Sequence, residues 1–288
     1  MKGADRKSFY IVGATGFMGS GMVKYLNSIG QTVYTERIDV TDLVTLKNKF
    51  NELRPDVVIN FAGVKAHPNI DWCEDHKQET VAVNVAGAIN VMLASVESGA
   101  YPIQITSGCI YEGGVDKRFT EEDEPNFTGS FYSRMRIVLQ KALEELPVLQ
   151  VRIRMPVSSF PNSRNLINKI IAYDKVISVP NSVTLVEDMY EALFKLSQTK
   201  PIGILNLVND GVLEHKQILS AYKKVVNPNH NYTEISLEEL HGKGGITKAK
   251  RSNCLLSNEK AKSLGIEMPE IDSKKLEEIM QNFKNNSL

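Results

Sequence analysis

Residues 9–19 read Phe9-Tyr10-Ile11-Val12-Gly13-Ala14-Thr15-Gly16-Phe17-Met18-Gly19, and their place in the chain decides the fold. Four apolar residues make a strand buried on both faces, the glycines make a tight turn, and Ser20 to Ser28 has the composition of a helix. In that order these elements bring bare backbone N–H groups and the positive end of a helix against a pyrophosphate. The stretch therefore predicts a dinucleotide site built from Gly13, Thr15, Gly16, Phe17, Met18 and Gly19. Glycines alone also make ordinary turns. The weight of the reading rests on this turn being the first strand-to-helix junction of a repeating pattern.

Outward from the turn, apolar runs at Phe9 to Val12, Thr32 to Tyr34, Val57 to Phe61, Ile103 to Ile105 and Val148 to Ile153 alternate with helix-length segments at 20–29, 42–53, 77–98 and 131–145. Strands that are apolar throughout, separated by helices, predict a parallel, doubly wound α/β sheet of the Rossmann type. Near Pro156 the alternation stops, and Pro161, Pro180, Pro201 and Pro228 punctuate shorter segments. The expected division is a cofactor-binding domain over 1–156 and a smaller C-terminal substrate lobe over 157–288, an approximate boundary because such lobes often return a strand or helix to the main sheet. In such sheets ligands bind at the carboxyl ends of the strands, so chemistry is expected in the loops after Val12, Tyr34, Phe61, Ile105 and Ile153.

The 288 residues carry 34 Lys+Arg and 34 Asp+Glu, and a net charge of zero argues against an electrostatic binder of nucleic acid or membrane. No uncharged run approaches the ~20 residues that cross a bilayer. The charged segment Met1 to Ser8 leads straight into the first strand, so a cytoplasmic protein is expected. The three cysteines, Cys73, Cys109 and Cys254, do not suggest a disulfide framework. Cys73 and His76 have ligand-like spacing but no second pair, so no metal is expected.

Thr106-Ser107-Gly108-Cys109-Ile110-Tyr111 ends the fourth predicted strand, and Phe131-Tyr132-Ser133-Arg134-Met135-Arg136 opens a helix on which Tyr132 and Arg136 share a face. A Ser hydroxyl, a Tyr hydroxyl and a nearby cation are what carbonyl reduction needs. The hydroxyls bind the oxygen that gains negative charge, Tyr delivers the proton, and the cation favours tyrosinate and orients the cofactor ribose.

Six separated blocks carry a family resemblance: Gly63-Val64 with Pro68-Asn69-Ile70-Asp71-Trp72-Cys73-Glu74; Gly108-Cys109-Ile110; Pro125-Asn126-Phe127-Thr128-Gly129-Ser130-Phe131-Tyr132-Ser133; Arg152-Ile153-Arg154-Met155-Pro156 with Ser158-Ser159; Val179-Pro180-Asn181-Ser182; and Arg251-Ser252-Asn253. Over nearly its whole length the chain resembles the extended short-chain dehydrogenase/reductases. Among them it is most similar to the epimerase/reductases found as the C-terminal half of plant rhamnose synthases. The resemblance implies conversion of UDP-4-keto-6-deoxy-glucose to UDP-L-rhamnose with NADPH, with Ser107 and Tyr132 in the catalytic Ser/Thr and Tyr positions. It departs at one point: Arg136 stands where the family's YxxxK motif has Lys. Arginine, with a pKa above ~12, keeps the charge and bonds ribose hydroxyls but cannot relay a proton by losing one.

The resemblance also gives Cys109 a role. Related dehydratases read Thr-Asp-Glu in this loop, with the proton-accepting Glu two residues after the catalytic Thr, and Cys109 stands two after Ser107. Thiols, with an ordinary pKa of ~8.5, serve as acid or base at a carbon made acidic by a neighbouring ketone. Inversion needs a second group on the opposite face, and Lys175 is the candidate, with His67 a weaker rival. Cofactor choice rests on Glu36 and Arg37, which pull in opposite directions: an acidic residue favours NAD, Arg the 2′-phosphate of NADP. NADPH through Arg37 is favoured, with Asp39 at the adenine edge. Phe61, Ala62, Gly63, Asn84 and Met155, together with Tyr132 and Arg136, complete the expected cofactor contacts. His67, Asn165, Val179, Asn181 and Arg251 are the expected contacts of the UDP-sugar. The alternatives are a dTDP-sugar reductase without epimerase activity, and a non-catalytic dinucleotide sensor. A homodimer is expected, because related proteins pair through two helices of the sheet domain.

Overall fold

The computed structural model describes residues 6–64 and 69–287. Six parallel strands form the central sheet: β1 (Ser8–Val12), β2 (Thr32–Tyr34), β3 (Val57–Asn60), β4 (Tyr101–Ser107), β5 (Leu149–Ile153) and β6 (Gly203–Asn206), in spatial order β6-β5-β4-β3-β1-β2. The order reverses between β1 and β3. The loops that leave these two strands therefore flank the crevice where such sheets bind ligands.

Both faces of the sheet are covered, which is why its strands read as unbroken apolar runs. On one face Phe9, Ile11, Val57, Ile103 and Val151 pack with Met22 and Leu26 of α1 (Phe17–Ser28) and with the helix Val186–Thr199. On the other, Tyr10, Val12 and Val58 pack with Leu46 and Phe50 of α2 (Leu43–Leu53), with Val91 and Met92 of α3 (Lys77–Ser98), and with Leu139 of α4 (Phe131–Leu143). The polar pair inside the sheet is satisfied internally: Asn60 Nδ2 donates to Gln104 Oε1 at 2.8 Å.

Helix α3 is long and apolar enough, by length and composition, to span a bilayer. The expectation that no stretch approaches this is therefore corrected. Half of its most apolar window is buried, and α3 packs against α2, α4 and the sheet as a core helix. It also contains a π-helical turn, Ala82–Gly87, where the backbone takes in one extra residue.

The division expected at 156/157 does not separate the sheet cleanly. Val186–Thr199 packs on α1, and β6 pairs with β5, so residues 186–206 belong to the sheet layer. Burial drives this return, since without β6 the apolar edge of β5 stands unpaired. The lobe keeps its own core, in which Val157, Ile167 and Ile170 pack with Leu213, Ile218, Ile279 and Phe283.

Candidate active site

Loops from the carboxyl ends of β1 to β5 converge on one cleft of about 750 Å³. Its sheet-side wall is the run Val12–Gly19 with the segments 35–40, 61–64 and 105–107. Cys109, Tyr132 and Arg136 also line it, and Met155, Pro156, Arg164 and Lys169 complete it after β5.

The glycine turn is shaped by backbone contact. Gly13 has φ +79°, and a Cβ there would lie 2.9 Å from Ala62 N, while a Cβ on Gly19 would overlap the Gly13 carbonyl oxygen. Helix α1 begins at Phe17 with Gly16 as an N-cap that offers no side-chain bond, so its first N–H groups stay free for a ligand. At the end of β2 Glu36 and Arg37 both line the cleft, and they differ in what holds them. Lys49 pairs with Glu36 at 2.8 Å and the Tyr10 hydroxyl donates to the Glu36 carbonyl at 2.9 Å, whereas Arg37 has an exposed side chain. Asp39 also lines it, and the N–H and hydroxyl of Thr41, at 2.9 and 2.8 Å, hold its carboxyl below the usual range.

Ser130 caps α4, its hydroxyl accepting from Ser133 N at 3.0 Å, and Phe131 N donates to Glu74 Oε1 at 2.5 Å. This start places Tyr132 in the first turn and Arg136 one turn later, its guanidinium 5.0 Å from the Tyr132 ring centroid. Arg136 Nε and Nη1 and Thr106 Oγ1 are buried without hydrogen-bond partners, and both residues line the cleft. Buried donors left unmet are costly, so these atoms await a ligand. Together with the glycine cradle these groups fit the phosphates and hydroxyls of a dinucleotide. Ser107 Oγ accepts from Cys109 N at 3.1 Å, and Cys109 Sγ accepts from Arg154 Nη1 at 2.7 Å. Arg154 is buried, and burial works against its charge. The sulfurs of Cys109 and Cys254 with the Tyr132 phenol more than offset this, raising its pKa above the ordinary value.

Several expected site residues lie elsewhere. Lys175 is exposed at the start of the lobe strand Lys175–Ile177 and does not line the cleft. The lobe lysine in the cleft is Lys169, on α5 (Leu166–Ile170), and burial, reinforced by Arg164, pushes its ammonium below the usual lysine range. Asn165 is spent on structure. Its Oδ1 accepts from Ser158 N and Ile167 N, both at 3.2 Å, while Nδ2 donates to the carbonyls of Ser158 and Phe160. Asn181 is buried and bonds Arg154, Cys254 N and Asn253, and Val179 lies outside the cleft wall, its carbonyl accepting from Asn181 Nδ2. Arg251 pairs with Asp71 at 2.9 Å and bonds Asn69 at 3.2 Å, which ties the segment after β3 to the lobe. Asn84 supports the cofactor wall from behind: it is buried in the π turn, and its Oδ1 accepts from Val64 N at 2.8 Å. His67 lies outside the described residues.

Residues 7–192 match the family model described as the RmlD substrate binding domain. The chain belongs to this family. A bifunctional dTDP-4-dehydrorhamnose 3,5-epimerase/dTDP-4-dehydrorhamnose reductase of Arabidopsis thaliana is 35% identical over 274 residues, 92% of this chain and 89% of that protein. A trifunctional UDP-glucose 4,6-dehydratase/UDP-4-keto-6-deoxy-D-glucose 3,5-epimerase/UDP-4-keto-L-rhamnose-reductase of the same plant is 36% identical over 271 residues, or 91% of this chain. The chain spans 40% of that enzyme's length. Among solved structures, the L780 UDP-rhamnose synthase of Acanthamoeba polyphaga mimivirus superposes with a TM-score of 0.89 at 30% identity, covering 96% of this chain and 99% of that one. As an RmlD-family member the chain keeps the parallel sheet with flanking helices, as expected from its sequence.

Proposed function

We propose that this chain is an NADPH-dependent enzyme that epimerises C3 and C5 of UDP-4-keto-6-deoxy-glucose and then reduces C4, giving UDP-L-rhamnose. One observation carries the reading: the glycine cradle, Arg37, the Ser107/Tyr132 hydroxyls, the Cys109 thiol and the Lys169 ammonium all line one cleft. The similarity to a bifunctional epimerase/reductase and to a UDP-rhamnose synthase supports it.

The C4 ketone acidifies the protons on C3 and C5. Ser107 and Tyr132 donate to the C4 oxygen and steady the enolate that forms when a proton leaves. Cys109 and Lys169 exchange that proton, one on each face of the ring, so that it leaves on one side and returns on the other. The lowered pKa of Lys169 suits it to give and take a proton. The turn at Gly13–Gly19 and the Arg37 guanidinium would hold NADPH by its phosphates, and the bound cofactor would supply the hydride that C4 takes. Tyr132 then protonates the C4 oxygen, and Arg136, whose Nε and Nη1 have no partner, would orient the cofactor ribose. Reduction ends the sequence because it removes the ketone.

A homodimer in the cytoplasm completes the proposal. Val81 and Leu93 on α3 and Val138 on the neighbouring α4 are exposed apolar side chains on two packed helices, a surface suited to a second copy. The three cysteines are free, in keeping with a reducing compartment. The deciding experiment supplies purified protein with NADPH and either the UDP- or the dTDP-linked 4-keto-6-deoxy-glucose, and follows NADPH absorbance and product stereochemistry. Formation of the L-rhamnose product, faster from the UDP sugar, is expected. NADPH oxidation that yields only a non-epimerised 6-deoxy sugar overturns the epimerase half, and no oxidation with either sugar overturns the whole.

A further inference from the structure

Arg154 leaves the end of β5 with 3% of its surface exposed. Nε and Nη2 donate to Asn181 Oδ1 at 3.2 and 2.5 Å, Nη2 also donates to the Ser252 carbonyl, and Nη1 donates to Cys109 Sγ at 2.7 Å. These partners are an amide, a carbonyl and a thiol, with no carboxylate among them. A buried cation with only neutral partners is costly to hold, and the cost falls when a group in contact becomes negative. Of the groups it bonds, Cys109 alone can do so. Asn181 is in turn fixed by Cys254 N and Asn253, so the guanidinium is anchored on the side away from the sulfur. The residue after it, Met155, takes φ 39°, a left-handed conformation rare outside glycine, where the chain turns from β5 into the cleft wall.

We infer that Arg154 is the positioning residue for proton transfer by Cys109: it fixes the sulfur at the cleft and stabilises the charge it carries before each proton is taken. The inference rests on the reading of Cys109 as the group that exchanges a proton beside the ketone. In that step the C–H bond breaks, an S–H bond forms, and the electron pair passes to the C4 oxygen; the reverse transfer returns the negative charge to sulfur. Arg154 stays a guanidinium throughout and needs no reorganisation when the charge appears. A structural arginine would be served as well by a carboxylate partner. The contact with Cys109 instead spends one N–H on the only bonded group that alternates in charge.

The test uses the full chain in deuterated water with UDP-4-keto-6-deoxy-glucose and no NADPH, measuring deuterium entry at C3 and C5, and separately the rate at which iodoacetamide alkylates Cys109. Cys73 and Cys254 are buried, so Cys109 is the accessible thiol. Arg154→Gln is expected to slow exchange at the carbon served by Cys109, and alkylation of Cys109, each by about tenfold or more, with KM for the sugar unchanged. Arg154→Lys, which keeps the positive charge, should recover most of both rates. If Arg154→Gln does not fold, as judged by melting and NADPH affinity, Asn181→Asp decides. It leaves Arg154 in place but offers it a competing anion, and alkylation should fall at least about threefold. Parental exchange and alkylation in whichever of the two variants folds overturn the inference, as does a loss of exchange that appears wholly in KM. Cys109→Ser separates the two levels: if it keeps full exchange, the role of Cys109 falls and this inference with it. If it abolishes exchange while Arg154→Gln does not, the inference alone falls.

Discussion

The two sides of the cleft are built by different means. The sheet side is backbone: consecutive residues Gly13 to Gly19 close around the start of α1, and Gly13 presses against the loop at Ala62. The lobe side is a matter of which side chains remain unspent once the lobe has folded. Asn165, Asn181 and Arg251 satisfy internal donors and acceptors. Lys169 and Arg164 line the cleft and take no side-chain hydrogen bond or ion pair among the described residues. A polar residue near a site is thus no guide to its task until its partners are counted.

The largest expected effect lies where the two sides meet. Tyr132→Phe should reduce the 4-keto sugar at least about 100-fold more slowly while its NADPH dissociation constant stays close to the parent's, since only a positioned proton donor is removed. Turnover equal to the parent's would falsify the assignment. The contrast between lobe lysines comes next. Lys169→Ala should slow deuterium exchange at one carbon by about 100-fold, whereas Lys175→Ala should exchange like the parent. The opposite order would return the role to Lys175 and break the comparison on the lobe side. A smaller effect is expected on the sheet side, because the backbone does most of the binding. Arg37→Ala should raise the Michaelis constant for NADPH about tenfold more than that for NADH. Lys49→Met, which frees Glu36 to repel the 2′-phosphate, should shift the same ratio about threefold in the same direction. The least effect on catalysis is expected from Asn165→Ala. Denaturant melts should show a loss of about 1–2 kcal/mol for the missing cap and bonds, with the Michaelis constant for the sugar unchanged. A raised constant without loss of stability would restore Asn165 as a substrate contact.

The same contrast explains how much could be read from sequence. The succession of strands and helices along the chain, the glycine turn and the pairing of Tyr132 with Arg136 follow from local patterns, apolar runs, a period of 3.6 residues or a few consecutive positions. The helix start at Phe17 fell within the turn motif itself. The conflict between Glu36 and Arg37 was visible, but the pairing of Glu36 with Lys49 on the next helix was not. On the lobe side several deciding bonds join residues far apart in the chain, such as Arg154 to Asn181, 27 residues apart, and Arg251 to Asp71, 180 apart, and no local pattern reports them. Arg154 stood in a quoted block without a role. Its only sequence signal is a cation at the end of an otherwise buried strand, two residues after the equally buried Arg152. Lys169 and Lys175 are six residues apart, too few for composition to choose between them.

The π turn at Ala82–Gly87 bears on how this site can be inherited. An extra residue in a helix rotates everything beyond it by about 100°, so the part of α3 before the turn and the part after it follow different phases. Deletion of a single codon can remove such a turn. A lineage that lost one residue between 82 and 87 would retain a good helix and a folded sheet, yet Asn84 would swing away from Val64 and the loop at Gly63 would lose its anchor. Among descendants of this gene, the length of this helix should therefore be kept together with Asn84 itself.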